Sequence, residues 1–235
     1  MFDFNINIIP AGILALIVSY LLGSCNSSII AVRLIKHEDI RKQGSGNAGL
    51  TNTFRCYGKG MALITLIGDL LKGVIAVILS LLIFNLIAPT VMTAGSKDMT
   101  DINMAIGYCS GIAAILGHIF PVYYGFKGGK GVLVSSSILL VIDPLTFVII
   151  IPFFILMIAV TRYVSVASII SAVFYPILTF LLHYFVLDLG FKWSLVHTLL
   201  TVGTSILLIF MHRENIKRLR NHTENKFTLH RKKAG

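Results

Sequence analysis

The chain has 235 residues, of which 56% are hydrophobic and only 13% are charged, about half the charged share of a typical soluble domain. A water-soluble fold of this length could not bury so much apolar surface, so the composition excludes a soluble domain and predicts lipid as the solvent. The net charge of +10 would suggest nucleic acid as the partner of a soluble protein, but the basic residues lie between and after apolar segments, so we expect membrane lipids and phosphorylated substrates as partners and no nucleic acid.

Seven apolar runs predict membrane-spanning helices, since about 20 residues cross a bilayer. The runs cover residues 9–34, 61–86, 102–120, 131–142, 145–160, 165–187 and 194–211. Such continuous runs are typical of helices, because the strands of a membrane barrel alternate apolar and polar residues. The fourth run is short, so a half-span or a tight outer turn, with five or six spans in all, is the alternative. The sequence predicts an all-α polytopic membrane protein, a seven-transmembrane-helix bundle that forms one domain over residues 1–235.

Basic residues are distributed unevenly among the segments that connect the predicted spans. If the N-terminus lies outside, every Lys and Arg except Lys97 and Lys192 falls on the cytoplasmic side. The positive-inside rule therefore predicts an outside N-terminus and a cytoplasmic C-terminus. The basic tail, residues 212–235, is predicted to form a helix at the inner surface followed by a frayed end.

The segment after the first predicted span is rich in glycine: residues 44–55 have the sequence G-S-G-N-A-G-L-T-N-T-F-R. Glycine lets the backbone turn several N–H groups toward one point, which makes an anion-binding nest. The guanidinium of Arg55 suits phosphate, and a helix beginning near Thr51 would add further N–H groups. Neutral hydrogen-bonding side chains come from Ser45, Asn47, Thr51 and Asn52. The pattern favours a phosphate-binding loop over a plain turn between two helices.

Two predicted spans carry polar groups that lipid cannot solvate. The first contains the run Gly23–Ser28, which must face protein. The second contains Asp69 and Lys72, three residues apart and therefore on one helix face. An ionisable group at the centre of a span costs about 2.5–3.5 kcal/mol. Two interpretations of the pair remain open, a structural ion pair or bracing of the neighbouring loops.

A second glycine-rich segment, residues 117–131, ends in Gly128-Gly129-Lys130-Gly131 before a predicted helix. It is no P-loop, because the G-x-x-x-x-G-K spacing is absent and Gly131 stands where a Ser or Thr would hold magnesium. The segment is predicted to bind an anion at exposed N–H groups beside Lys130. The alternative is that Lys127 and Lys130 only anchor the bundle at the membrane interface.

Two further polar positions follow later cytoplasmic turns. Ser165 and Ser168 lie three residues apart after Arg162 and share a helix face. There they either contact a substrate or allow helices to pack closely. His212 and Asn215 share a face if the helix continues past the last span, and a histidine there could bind phosphate or move a proton.

Taken in chain order, these motifs closely resemble the acyl-phosphate-dependent (PlsY-type) glycerol-3-phosphate acyltransferases of bacteria, over nearly the whole length. After G-S in the first span, they are D-I-R-K-x-G-S-G-N-A-G-x-T-N-x-x-R from Asp39, G-D-x-x-K-G from Gly68, G-H-x-F-P with F-K-G-G-K-G-V from Gly117, R-Y-x-S-x-A-S from Arg162 and H-R-E-N-I-x-R-L from His212.

The resemblance implies transfer of a fatty acyl group from acyl phosphate to the sn-1 hydroxyl of glycerol 3-phosphate at the cytoplasmic face of the bacterial cell membrane. It implies no metal and no cofactor, and we expect a monomer. A phosphate oxygen of the substrate would accept the hydroxyl proton, supported by His212. Substrate contacts are expected from Ser45, Arg55, Lys130, Ser165, His212 and Asn215. Loop shape and backbone donors are expected from Gly44, Gly46, Asn47, Gly128 and Gly129.

The chain departs from the family pattern at two places, Leu133-Val134 in place of Ala-Thr and His222 in place of Gly, and neither lies in the core motifs. The alternative class is a transporter or flippase for a phosphorylated solute, which would place charges near the midplane with access from both faces. A purely structural membrane protein would leave the glycine loops unexplained. Clustering of the polar groups at one face favours the enzyme.

Overall fold

The computed structural model describes residues 8–88 and 97–227. All secondary-structure elements assigned in these ranges are helices, which confirms the all-α class. The chain divides into two compact units, residues 1–143 and 144–235. The helices of the first unit are α1 Ile8–Ser24, α2 Ser27–Lys36, α3 Leu50–Tyr57, α4 Lys59–Ile87, α5 Lys97–Ile119 and α6 Val132–Ile142. Those of the second unit are α7 Pro144–Thr161, α8 Val164–Leu181, α9 Gly190–Met211 and α10 Arg213–Arg220.

Within the described ranges, six helical stretches are long and apolar enough to cross a membrane. They are Ile8–Lys36, Lys59–Ile87, Thr100–Tyr124, Pro144–Thr161, Val164–Val186 and Gly190–Met211. Large apolar side chains on them are exposed, for example Leu71 at 53% and Ile206 at 64%, as expected where the solvent is lipid. The predicted fourth span is α6, whose 11 residues cover about 16 Å, roughly half of a bilayer core. Six of the seven predicted spans therefore have full length.

The first span is broken at Cys25-Asn26, between α1 and α2. Asn26 causes the new start, because its side chain accepts a hydrogen bond from the N–H of Ile29 (3.1 Å) as the N-cap of α2. Ser24, Asn26 and Ser28 are completely buried. The prediction that the polar run faces protein is confirmed for these residues.

Close backbone approach packs α1 against α5. A Cβ on Gly23 would overlap the backbone of Ala114, and one on Gly117 would overlap the backbone of Tyr20. Only glycine permits this separation, so α5 delivers its C-terminal end, and the loop that follows it, beside the break in the first span.

In the second unit, α8 packs between α7 and α9. Its buried stripe is built mainly of small and polar residues, namely Ser165, Ala167, Ser168, Ser171 and Ala172. His212 is both the C-cap of α9 and the N-cap of α10. The junction between a membrane span and a short basic helix therefore falls on a predicted site residue.

Candidate active site

The first glycine-rich loop is shaped from inside by Asn52. This side chain is 2% exposed, accepts a hydrogen bond from the Ser45 N–H (3.0 Å) and donates one to the Gln43 carbonyl (3.0 Å). Gly44 (φ 57°) and Gly46 (φ 72°) adopt the left-handed conformation that the loop requires. A Cβ on Gly44 would collide with the Asn52 amide oxygen. Asn52 thus organises the loop, and Ser45 remains exposed at its tip.

Helix α3 begins at Leu50, as the sequence predicted for a start near Thr51. The first bond of its ladder runs from the Thr53 N–H to the Gly49 carbonyl (3.0 Å), so the N–H groups of Leu50, Thr51 and Asn52 have no intrahelical acceptor. They form the positive end of the helix dipole. Arg55, exposed on the same helix, adds a full positive charge.

The second glycine-rich loop uses its own glycine N–H groups internally. Gly128 donates to the Ile119 carbonyl and Gly129 to the His118 carbonyl, both at 3.0 Å. In the first loop, Gly46 likewise donates to the Gln43 carbonyl (2.9 Å). The N–H groups of these three glycines therefore bond within the loops and hold the loop shape, and their contribution of donors to a phosphate stays a prediction.

Lys130 stands immediately before α6. Gly131 caps this helix with φ 88°, and the first bond of its ladder is from the Ser135 N–H to the Gly131 carbonyl (2.8 Å). The N–H groups of Val132 and Leu133 consequently lack intrahelical acceptors. Each glycine-rich loop thus ends at a helix N-terminus, and a cationic residue accompanies each, Arg55 in the last turn of α3 and Lys130 directly before α6.

The two loops contact each other directly. The Ala48 N–H donates to the Gly128 carbonyl (3.4 Å), and Asn26 donates to the Ala48 carbonyl (3.2 Å). A Cβ on Gly129 would lie 2.5 Å from the Ala48 carbonyl oxygen and would overlap the His118 ring. Gly128 and Gly129, which together with Ala48 we call the loop junction, therefore have no room for a side chain.

We expect Gly129→Ala to lower kcat/KM at least about tenfold, because overpacking costs about 1–3 kcal/mol and would push the loops apart. A Cβ on Gly60, by contrast, meets nothing within 4 Å. Gly60→Ala is the matched control and should keep wild-type kinetics. Steady-state assays of both variants check the prediction, and equal kinetics in the two would contradict it.

Arg41 fastens the first loop to the second, a role that the sequence did not reveal. Its Nη1 donates to the carbonyls of Tyr124 (2.6 Å) and Lys127 (3.2 Å). Asp39 holds the guanidinium from the other side through contacts of 2.7–3.2 Å. Hydrogen bonding to Arg41 outweighs burial and keeps the pKa of the Asp39 carboxyl well below its usual value.

The intramembrane pair Asp69 and Lys72 is confirmed as an ion pair, with Lys72 Nζ 2.9 Å from Asp69 Oδ1. Both side chains are buried. A third member, His118, lies with its Nδ1 2.9 Å from Lys72 Nζ. The G-H-x-F-P motif pointed to this histidine without indicating its partner.

In the second unit, Glu224 connects three residues that the sequence analysis treated separately or not at all. Its Oε1 accepts hydrogen bonds from Ser165 Oγ (2.9 Å) and Asn215 Nδ2 (2.7 Å), and its Oε2 pairs with Arg218 Nε (2.7 Å). Ser168 Oγ instead donates to the Val164 carbonyl (2.8 Å) within its helix. Ser165 and Asn215 are thus brought together, whereas Ser168 is turned into its own helix.

The tail is ordered beyond α10 as far as the described residues extend. The Phe227 N–H donates to the Arg162 carbonyl (2.7 Å), so residues 221–227 return to the start of α8. Glu224 and the Phe227 backbone supply contacts up to Phe227 that local sequence does not show, and the frayed end beyond them stays a prediction. Residues 228–235 of the predicted tail lie outside the described ranges.

His212 has a defined orientation at the junction of α9 and α10. Its Nδ1 lies 2.8 Å from the Leu208 carbonyl, and a carbonyl can only accept, so Nδ1 carries a proton. In the neutral ring the lone pair is then on Nε2. His212 is 3% exposed, and this geometry suits a group that accepts or shares a proton.

Acid should weaken the second unit through Glu224. Burial raises the pKa of this carboxyl, but hydrogen bonds from Asn215, Arg218 and Ser165 outweigh burial and keep the pKa below its usual value of 4.5. Stabilisation by such a group is complete above the usual pKa and is lost as pH falls through the lower folded value.

We therefore expect Glu224→Gln to lower the melting temperature at neutral pH, with the difference from wild type shrinking as the pH falls below 4.5. Glu214→Gln, at an exposed position on α10, is the matched control and should melt like wild type throughout. Thermal unfolding in detergent across the pH range checks this, and a difference that is independent of pH would contradict it.

Apolar spanning helices combined with glycine-rich loops, helix N-termini and cations define a multi-pass membrane protein equipped to bind anions. The family described as glycerol-3-phosphate acyltransferase matches residues 13–222. The chain belongs to this family and is an acyltransferase, as its motifs predicted.

Relatives and solved structures agree with this assignment. The glycerol-3-phosphate acyltransferase of Chlorobaculum tepidum is 39% identical over 231 residues, covering 92% of this chain and 97% of the relative. That of Halalkalibacterium halodurans is 42% identical over 215 residues, covering 92% and 95%. Crystal structures of PlsY (YgiH), an integral membrane glycerol 3-phosphate acyltransferase, are similar in the glycerol 3-phosphate form (TM-score 0.73, 29% identity, 92% of this chain and 96% of that one). The lysphosphatidic acid form has a TM-score of 0.70, with 28% identity over 93% and 96%.

Proposed function

We propose that the chain transfers a fatty acyl group from acyl phosphate to the sn-1 hydroxyl of glycerol 3-phosphate, the first step of phospholipid synthesis. The ester C–O bond forms, the bond between the acyl carbon and the phosphate oxygen breaks, and the hydroxyl proton leaves on the phosphate. The products are lysophosphatidic acid and inorganic phosphate. One observation carries the proposal: two loops that contact each other each end at a helix N-terminus, and a cationic residue belongs to each, Arg55 in the last turn of α3 and Lys130 just before α6.

Two phosphoryl groups are the ligands that such a pair of anion sites would take. The N–H groups at the start of α3, with Arg55, Ser45 and Thr51, would bind one phosphate. Lys130 and the first turn of α6 would bind the other. Asn52 and the loop glycines act through the shape of the backbone.

We also propose that residues 1–235 act as one acyltransferase domain and that residues of the second unit contact the glycerol moiety. His212 Nε2 would accept a hydrogen bond from the attacking hydroxyl while a substrate phosphate oxygen takes the proton. Ser165 and Asn215, fixed by Glu224, would contact the substrate oxygens. Because acyl phosphate is already activated, placement of the hydroxyl and stabilisation of negative charge suffice for catalysis.

The topology that accompanies this function places the N-terminus outside and the loops, α10 and the active site at the cytoplasmic face of the bacterial membrane. The excess of Lys and Arg in the segments that lie between and after the predicted spans supports it. The half-length α6 would enter the bilayer without crossing as a full span. We propose a monomer surrounded by membrane lipids.

Purified wild-type protein, given acyl phosphate and glycerol 3-phosphate, tests the proposal. We expect lysophosphatidic acid and phosphate to appear in equal amounts, and no product when acyl coenzyme A replaces acyl phosphate. Glycerol 3-phosphate flux into proteoliposomes without turnover would reject the enzyme in favour of a transporter.

A further inference from the structure

The break between α1 and α2 exposes backbone groups that lipid cannot satisfy, and α4 supplies their partners. Lys72 Nζ donates to the Cys25 carbonyl (3.1 Å), and Asp69 Oδ1 accepts from the Ser27 N–H (3.4 Å). The ion pair of Asp69 and Lys72 therefore does more than neutralise two buried charges, because each member also holds one side of the break.

The third N–H donor of the Lys72 ammonium determines which ring nitrogen of His118 carries the proton. An ammonium carries three N–H donors and no acceptor, and those of Lys72 go to Asp69, Cys25 and His118 Nδ1. Because Nδ1 accepts, the ring of His118 is neutral and its proton is on Nε2. The ring is 3% exposed, and Lys72 fixes its orientation. We call Asp69, Lys72 and His118 the buried triad.

His118 connects the buried triad to the loop junction through its contacts with Gly129. Its carbonyl accepts the Gly129 N–H (3.0 Å), and its Nε2 edge lies against Gly129, where a Cβ has no room. Gly129 lies in turn against the Ala48 carbonyl, and the Ala48 N–H donates to Gly128. The imidazole thus supports the point at which both loops meet.

We propose that Lys72 is a positioning residue for acyl transfer, acting through His118 to fix the two anion-binding loops relative to each other. Neither residue touches substrate in this account. Displacement of the junction would change the separation between Arg55 on α3 and Lys130 before α6. The inference rests on the proposed function, because it assumes that these two cations bind the substrate phosphates.

A charge-balanced double variant separates positioning from simple neutralisation. Lys72→Met alone leaves the Asp69 carboxylate buried without its cation, and we expect most of that protein to fail to fold. Asp69→Asn/Lys72→Met removes both charges, keeps an acceptor for the Ser27 N–H, and should fold with a melting temperature well above that of Lys72→Met. Its KM for glycerol 3-phosphate should nevertheless stay about tenfold or more above wild type, since small misplacements in an active site are costly. A wild-type KM in the stable double variant would overturn the proposal.

Two variants of His118 test the hydrogen bond itself. His118→Asn places an amide oxygen where Nδ1 accepts from Lys72, whereas His118→Leu fills similar space without an acceptor. We expect the leucine variant to share the KM defect of the double variant and the asparagine variant to recover most of the loss. Equal KM values in the two would overturn the role of the bond.

Ser80→Ala is the matched control for lost stability. Ser80 lies on α4 about two helical turns beyond Lys72, and its hydroxyl donates to the Ala15 carbonyl (2.9 Å) inside the interface with α1. We expect a lower melting temperature and an unchanged KM. A raised KM here would attribute the triad's effect to general destabilisation and overturn the proposal. If Lys130→Ala also retains wild-type kinetics, the phosphate sites themselves fail, whereas a defective Lys130→Ala beside a wild-type double variant rejects only the positioning role.

Discussion

Lys130→Ala is expected to raise the KM for one of the two phosphorylated substrates by roughly 10- to 150-fold, with the protein still inserted and folded. Lys130 directly precedes the N-cap of α6, and in the first turn of this helix the N–H groups of Val132 and Leu133 lack intrahelical acceptors. A hydrogen bond to a charged group contributes about 1.5–3 kcal/mol, and each 1.4 kcal/mol corresponds to about tenfold. Arg55→Ala should show a defect of the same order. Steady-state kinetics with each substrate varied in turn measures both.

Lys127→Ala is the matched control for Lys130→Ala. Lys127 is an exposed cation three residues earlier in the same loop. If Lys130 acted only by anchoring the loop at the membrane surface, both lysines would contribute comparably. We therefore expect near wild-type kinetics from Lys127→Ala. Wild-type kinetics from both Lys130→Ala and Arg55→Ala would remove the phosphate sites on which the proposed function depends.

His212→Ala is expected to lower kcat by about 100-fold, the lower end of the effect of a positioned acid–base group, because His212 supports the attacking hydroxyl while the phosphate takes its proton; the change in KM should be smaller. The reason is the orientation of the ring, in which Nδ1 is engaged with the Leu208 carbonyl and Nε2 holds the lone pair. His212→Gln retains a polar atom near the position of Nε2 and should keep more activity than His212→Asn, which reproduces only the Nδ1 contact.

A substitution at His222, an exposed residue in the same tail, provides the comparison for His212. Its φ of 56° is one that asparagine tolerates, so His222→Asn should behave as wild type. Single-turnover measurements distinguish a slower chemical step from slower product release. An unchanged chemical step in His212→Ala would exclude His212 from supporting the attacking hydroxyl.

Local patterns predicted the parts of the fold that local physics controls. Apolar runs located the spans, because about 20 residues must satisfy their own backbone groups in lipid. The start of α3 followed from its glycines and polar residues, and the pairing of Asp69 with Lys72 followed from their helical spacing. The half-length of α6 was left open, since a short run is compatible with a turn or a half-span.

Contacts between distant residues could not be predicted in this way. Glu224 meets Ser165 across 59 positions in sequence, and Arg41 meets the Lys127 carbonyl across 86. The carbonyl partners of the loop glycine N–H groups could not be predicted for a related reason. The sequence of a glycine-rich loop does not show whether a glycine N–H faces an anion or a nearby carbonyl. The N–H of Gly128, for example, donates to the Ile119 carbonyl.

The break in the first span has a consequence for biosynthesis. Cys25 and Ser27 emerge from the ribosome and enter the bilayer before the helix that carries Asp69 and Lys72 has been made. Until that helix arrives, the Cys25 carbonyl and the Ser27 amide must keep water or lipid headgroups as partners. Insertion of α4 therefore completes the hydrogen bonding of the first span, and we expect the two spans to enter the membrane together during translation.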